Sequence, residues 1–221
     1  MRAVLLDALG TLLRLEDPVP ALRRELAARG IEVDEPAARG ALEAEIAYYR
    51  AHNLEGRDRS ALAALRRRCA GVLRDALGRG TVDAVHDALL ASLRFTAFPD
   101  ALPALRELRA AGLRLVVVSN WDVSLYDRLT ETGIARHVDG AIASAELGVA
   151  KPDPAIFAHA LTMAGARAAD AMHVGDSVPA DVEGARAVGI RPVLLDREAA
   201  GAAPAGVTAI VSLAELPGLV R

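Results

Sequence analysis

Lysine is almost missing from this chain: Lys151 stands alone against twenty-five arginines, and glutamine is absent altogether. Where a generic cation would serve, arginine has taken the place. A lone surviving lysine therefore marks a position that wants a compact point charge on a flexible stem, not a broad planar fork. Cysteine is nearly as scarce. The single Cys69 excludes an intramolecular disulfide, which fits a reducing compartment, and within the helical run 65–77 it reads as a small packed hydrophobe. No stretch of about 18 uncharged apolar residues occurs, so no membrane span is expected. The opening Met1–Asp7 reads as a short buried strand and lacks the longer apolar stretch and cleavage site of a signal peptide. A net charge of −3 provides no general drive toward nucleic acid or an anionic membrane. Internal repeats and low-complexity linkers are also lacking. These absences point to a cytoplasmic globular protein with no nucleic-acid or membrane partner, and they carry no signal for an oligomeric state.

What is present is a core. The chain has 221 residues, 52% of them hydrophobic, enough for one large or two unequal domains. Short continuous apolar runs at 3–6, 113–118, 171–174 and 192–195 read as strands covered on both faces, with weaker ones at 140–143 and 209–211. Helical patterns at 103–111, 123–131, 154–164 and 179–188 alternate with them, and Gly112, Gly133, Gly165 and Gly189 follow as stop signals. This alternation predicts an α/β fold with a doubly wound, Rossmann-like parallel sheet. Residues 17–95 depart from it. Helical periodicity at 18–28, 35–49, 60–77 and 82–93 carries almost no strand signal, and the block is far longer than a crossover needs. The expected organisation is an α/β core over 1–16 and 96–221 with an all-helical domain inserted at 17–95. The stretch 199–206 reads as a surface loop.

Placed on that sheet, the polar residues gather. Asp7 ends the first strand, Ser119-Asn120 the second, Lys151 follows the third, and Gly175-Asp176 ends the fourth. Ligands of open α/β sheets bind outside the carboxyl ends of the strands, so four separate stretches deliver a carboxylate, a hydroxyl, an ammonium and a second carboxylate to one rim. The segments Asp7-Ala8-Leu9-Gly10-Thr11-Leu12, Val117-Val118-Ser119-Asn120, Lys151-Pro152-Asp153 and Gly175-Asp176-Ser177-Val178-Pro179-Ala180-Asp181 resemble the four motifs of the haloacid dehalogenase superfamily of hydrolases. The helical insert is similar to that superfamily's cap domain in its most N-terminal placement.

The resemblance implies a set of roles. Asp7 would be the nucleophile, attacking phosphorus or carbon to form an aspartyl intermediate that water hydrolyses. Ser119 would bond a transferring oxygen, and Lys151 would neutralise another while keeping Asp7 ionised. Mg²⁺ would be held by Asp7, Asp176 and the Leu9 carbonyl. Asp181 would orient a metal-bound water or Lys151. Asn120 and Gly10 would lie at the substrate, with Thr11 beside them as a supporting or turn-stabilising hydroxyl. One departure stands out. Phosphatases of the superfamily usually carry a second aspartate two residues after the nucleophile, as general acid and base. Here Leu9 occupies that position and does neither. The expectation is a Mg²⁺-dependent phosphatase of a small phosphorylated metabolite, weak in acid–base catalysis. A 2-haloacid dehalogenase, or a catalytically poor phospho-ligand-binding relative, are the alternatives. Asp122 reads as a helix N-cap or a replacement acid, Trp121 as cleft lining or packing. Tyr48-Tyr49-Arg50 reads as a helix face or as reaching the substrate. His173 reads as a hydrogen-bonded interior histidine.

Overall fold

The computed structural model describes all residues except Ala200, Ala202 and Arg221, the first two of which fall in the loop expected at 199–206. It divides into two compact units, Met1–Arg14 with Thr96–Arg221, and Leu15–Phe95. Eight strands occur among the described residues: β1 (Ala3–Leu6), β2 (Leu13–Leu15), β3 (Phe95–Ala97), β4 (Arg114–Ser119), β5 (Gly140–Ala143), β6 (Ala171–Gly175), β7 (Arg191–Leu195) and β8 (Thr208–Ile210).

Six of them form one all-parallel sheet in the order β5-β4-β1-β6-β7-β8. β1 is fully buried and β4 nearly so, as continuous apolar runs require in a sheet covered on both faces. Register aligns the functional rim: Leu6 lies opposite Val117 on one side and Val174 on the other, so the residues that follow emerge together. The order turns around β1, the kind of switch point where open sheets hold ligands.

The helices of this unit follow the strands. They are α5 (Ala101–Ala110), α6 (Leu125–Glu131), α7 (Ser144–Leu147), α8 (Pro154–Ala164), a π-helical turn (Val178–Glu183), α9 (Gly184–Ala187) and α10 (Leu216–Leu219), the numbering following the four helices of the other unit described below. Ile156, Phe157 and Ala160 of α8 and Ala185 of α9 pack on Leu5, Val116 and Val118. The helix expected over 179–188 is thus a π turn running into a single α turn. The π turn sits directly after the strand that ends in Asp176, where such irregularities often mark functional sites. The strand expected at 113–118 begins and ends one residue later, so it includes Ser119. Leu113 instead closes the α5 turn, its N–H bonding the Leu108 carbonyl.

The second unit is built from α1 (Pro18–Ala27), α2 (Glu35–His52), α3 (Arg59–Leu77) and α4 (Val82–Ser92). Each helix has a side-chain cap at its start: Asp17, Asp34, Asp58 and Thr81 accept bonds from main-chain N–H groups that the helix leaves unpaired. Each such cap is worth about 1 kcal/mol. Gly78 ends α3 in the left-handed region at φ 66°. Leu22, Leu26, Leu65, Leu73 and Leu89 form its interior. The connections leaving and returning to the α/β unit pair as the β2–β3 ribbon. No described helix is long and apolar enough to cross a membrane.

Candidate active site

At the carboxyl end of β1 the Asp7 side chain is buried, and its N–H is fixed by the Val174 carbonyl at 2.9 Å. Two donors reach its Oδ1: the Lys151 Nζ at 2.6 Å and the Ser119 hydroxyl at 3.3 Å. Lys151, only 5% exposed, also donates to Asp181 Oδ1 at 2.6 Å. Asp181 is anchored further by the Ser177 N–H on Oδ2 at 3.0 Å and by His173 Nε2 on Oδ1 at 2.8 Å. The loop bearing Lys151 is held by Asn120, which accepts from the Lys151 N–H at 2.7 Å and donates Nδ2 to its carbonyl at 2.9 Å. Asn120 therefore commits a donor and an acceptor to positioning the lysine.

The charges work on one another. Burial pushes the Asp7 carboxyl up to about 6; Lys151 opposes this, while Asp181 and Asp176 add to it. Burial works against the Lys151 ammonium, but Asp7 and Asp181 outweigh it and hold its pKa above the ordinary lysine value. For Asp181 the burial penalty is overcome by Lys151 and His173, so its pKa is lowered. Asp176, at the exposed rim, is raised by burial of its carboxyl and by Asp181. Oxygen atoms of Asp7, Asp176 and Asp181 lie within 4.8 Å of one another. An all-oxygen donor set of three clustered carboxyls is the kind that suits a hard divalent cation.

The turn after Asp7 is shaped for close approach. Gly10 has φ 87°, and a Cβ there would stand 2.0 Å from Asp176 Oδ2, so glycine is required both by conformation and by contact. The Gly10 N–H bonds the Leu13 carbonyl at 2.8 Å, which leaves that N–H occupied. Leu9, beside it, is 42% exposed. Thr11 is fully buried, and its Oγ1 has no hydrogen-bond partner. Main-chain bonds from the Thr11, Leu12 and Leu13 N–H groups to the Ala8 carbonyl hold the turn, not the threonine hydroxyl. A cavity of about 520 Å³ lined by Gly10, Phe98, Asp176, Leu195 and Arg197, among others, lies on this rim.

One expectation changes with the geometry and two are narrowed. Ser124, not Asp122, occupies the N-cap position of α6; Asp122 is buried and its Oδ1 accepts the Ser124 N–H at 2.7 Å in a local turn. His173 is hydrogen-bonded on one side only, since Nδ1 is buried without a partner while the ring packs edge-on to Phe157. Trp121 is buried, and its carbonyl receives the Ala145 N–H and the Ser144 hydroxyl. In the helical unit Tyr48 stacks on His52 and accepts a bond from Arg68 Nε. Two residues of the α/β unit escaped sequence reasoning: His173 as a partner of Asp181, and Arg197. The signal for Arg197 was positional, a charged side chain just past the carboxyl end of a strand on the functional rim.

A family model described as a haloacid dehalogenase-like hydrolase matches residues 1–189. The chain belongs to that family. Haloacid dehalogenase-like hydrolase domain-containing protein 3 of Danio rerio is 37% identical over 141 residues, covering 58% of this hydrolase and 57% of that protein. The phosphoserine phosphatase of Thermus thermophilus is 38% identical over 105 residues, 47% of this chain and 42% of that one. Its matches thus span about a third to somewhat over half the length of the curated relatives. Among solved structures, L-2-haloacid dehalogenase from Xanthobacter autotrophicus aligns over 100% of this chain and 98% of its own, at 25% identity and a TM-score of 0.75.

Proposed function

We propose that this hydrolase is a Mg²⁺-dependent phosphatase of a small phosphorylated metabolite, using Asp7 as a covalent nucleophile and lacking the usual general acid–base. The observation that carries this reading is the Asp7–Lys151–Asp181 chain of 2.6 Å contacts with Asp176 within reach of the same point. An ionised Asp7 oxygen attacks phosphorus, the bond to the leaving oxygen breaks, and the aspartyl phosphate formed is hydrolysed by water to phosphate and free Asp7. An ammonium has three donors. Two of those of Lys151 go to Asp7 and Asp181, and the third serves a phosphoryl oxygen. Ser119 donates to another. Because the transition state spreads charge over its equatorial oxygens, this is positioning and electrostatics more than covalent work by the protein. The cation, held by Asp7, Asp176 and the Leu9 carbonyl, would neutralise charge on the transferring group. Asp181 keeps Lys151 in place, and His173 keeps Asp181 in place. The inserted helical unit would act as the cap that selects the substrate. The relatives named as phosphatases favour the same class.

Leu9 sets the limit. With no carboxyl there, the leaving oxygen departs without a proton from that side, so esters of acidic alcohols are the better substrates. The exposed Leu9 also favours a second reading, a 2-haloacid dehalogenase, because halide needs no proton; the similarity to haloacid dehalogenase structures points the same way. Asp176 favours the phosphatase, since displacement at carbon has no use for a metal-binding carboxylate. The deciding assay is a panel of phosphate esters and haloacids with and without Mg²⁺. Mg²⁺-stimulated release of phosphate from an aryl ester, with no halide release, is expected. Metal-independent halide release would overturn the phosphatase reading in favour of the dehalogenase.

A further inference from the structure

We propose that Arg197 is a positioning residue for the turn that follows Asp7, clamping its main chain from outside the catalytic cluster. This rests on Asp7 being the nucleophile. Arg197 follows β7, two residues past Leu195, and its side chain is mostly buried. Its guanidinium uses Nε to reach the Gly10 carbonyl at 3.2 Å and Nη2 to reach the Thr11 carbonyl at 2.8 Å. The same fork holds Asp100, through Nη1 at 2.9 Å and Nη2 at 3.1 Å, while its Cζ lies over the Phe98 ring, 3.7 Å from the centroid. Asp100 is itself fixed by the Ser212 hydroxyl at 2.7 Å and the Leu213 N–H at 2.9 Å. One side chain thereby ties the nucleophile turn to the start of α5 and to the segment after β8.

The arrangement demands arginine. Donors in a rigid fork serve two carbonyls and one carboxylate at once while the cation sits over an aromatic ring; an ammonium would satisfy fewer partners. What the clamp positions is specific. Gly10 presses its Cα side against the Asp176 carboxylate so closely that no Cβ fits. A shift of Gly10 would move Asp176, the Leu9 carbonyl and, through β1, the attack line of Asp7. Displacement of about 1 Å at a reacting centre costs up to about a hundredfold in rate.

The test compares wild type with Arg197→Ala and Arg197→Lys in three measurements: steady-state hydrolysis of an aryl phosphate at saturating Mg²⁺, amide hydrogen exchange, and thermal melting. Expected are a fall in kcat of about 10–100-fold with KM changed less than about threefold. Exchange should accelerate in the peptide spanning residues 7–13 while β4, β6 and the helical unit keep their protection. Added guanidinium ion should restore part of kcat to Arg197→Ala. Unchanged exchange at 7–13, or unchanged kcat beside a lowered Tm, would overturn the proposal. Should the alanine variant fail to fold, Arg197→Lys carries the test, and failure of both to fold overturns it in favour of a purely structural clamp. If wild type hydrolyses no phosphate ester, the proposed reaction fails, yet the exchange comparison still decides whether Arg197 holds the turn.

Discussion

Each unit of this hydrolase buries a carboxylate, and the two are treated differently. Asp181 in the α/β unit is 1% exposed and bonded by an ammonium, an imidazole and a main-chain N–H, so its ionised form is favoured. Glu45 in the helical unit is also buried. Burial raises its pKa, and the Cys69 thiol offsets that only in part. The first carboxylate has been given a cation; the second meets a weak thiol donor, and its protonated form is favoured. Burying an ion without pairing costs several kcal/mol. Where the chain meets that cost with dedicated partners, the ionised form is kept. Where it does not, the group is a local liability of packing.

The sharpest way to break the comparison is at the shared cation. Lys151→Arg keeps the charge but places a planar fork in a site fitted to a single nitrogen, and should lower turnover by about 10²–10³-fold. Lys151→Met should in addition cost about 3–5 kcal/mol of stability by denaturant melt, since Asp7 and Asp181 lose their buried partner. Wild-type rates in the arginine variant would make the lone lysine a compositional accident. Next in size is Leu9→Asp. Supplying the missing acid should raise alkyl phosphate hydrolysis by about 10–100-fold, within the lower part of the general acid–base range, and change aryl phosphate rates much less. No gain in a folded variant would place the catalytic deficit elsewhere.

Smaller still, Asp176→Asn should raise the Mg²⁺ concentration needed for half-maximal rate by about tenfold, leaving Tm without metal close to wild type. A rate insensitive to both metal and this change would remove Asp176 from the cation site. Glu45→Gln sharpens the contrast at its weak end. A carboxyl whose pKa is raised on folding binds more protons in the folded state, so stability is present below the unfolded value of about 4.5 and is lost as pH rises above it. Glutamine escapes that loss. Tm should therefore rise by about 2 °C at pH 8, and the gain should shrink as pH falls toward 4.5. An equal gain at both pH values would show that ionisation of Glu45 is not the cause.

Much of the α/β unit was legible because its signals are local and cumulative. Continuous apolar runs mark β1, β4, β6 and β7, and a polar residue ends each run on the same rim. The motif resemblance then pointed to a chemistry for that rim, and the lone lysine makes two 2.6 Å contacts there. What was not legible depends on contacts between distant segments. Arg197 meets Gly10 across 187 positions, and nothing in its own neighbourhood specifies which carbonyls it will find. Asn120 reads as a substrate ligand from its place beside Ser119, yet its amide is engaged with the Lys151 main chain. The π turn at 178–183 carries an ordinary helical pattern, so its wider winding could not be read from spacing. Glu45 lies on a helix whose periodicity alone would leave its burial in doubt, and only packing against α3 decides it.

In the proposed reaction Asp7 accepts a phosphoryl group, and no carboxyl at position 9 helps to remove it. Without that base the second half of the reaction should be the slow one. Rapid mixing with an activated aryl phosphate and Mg²⁺, acid quenching and mass analysis of the peptide containing Asp7 test this directly. Expected are a burst of phenol and a phosphoryl adduct on Asp7 that accumulates in wild type and decays faster in Leu9→Asp. A linear time course with no adduct, or an alkyl ester on Asp7 formed only from a haloacid, would contradict it.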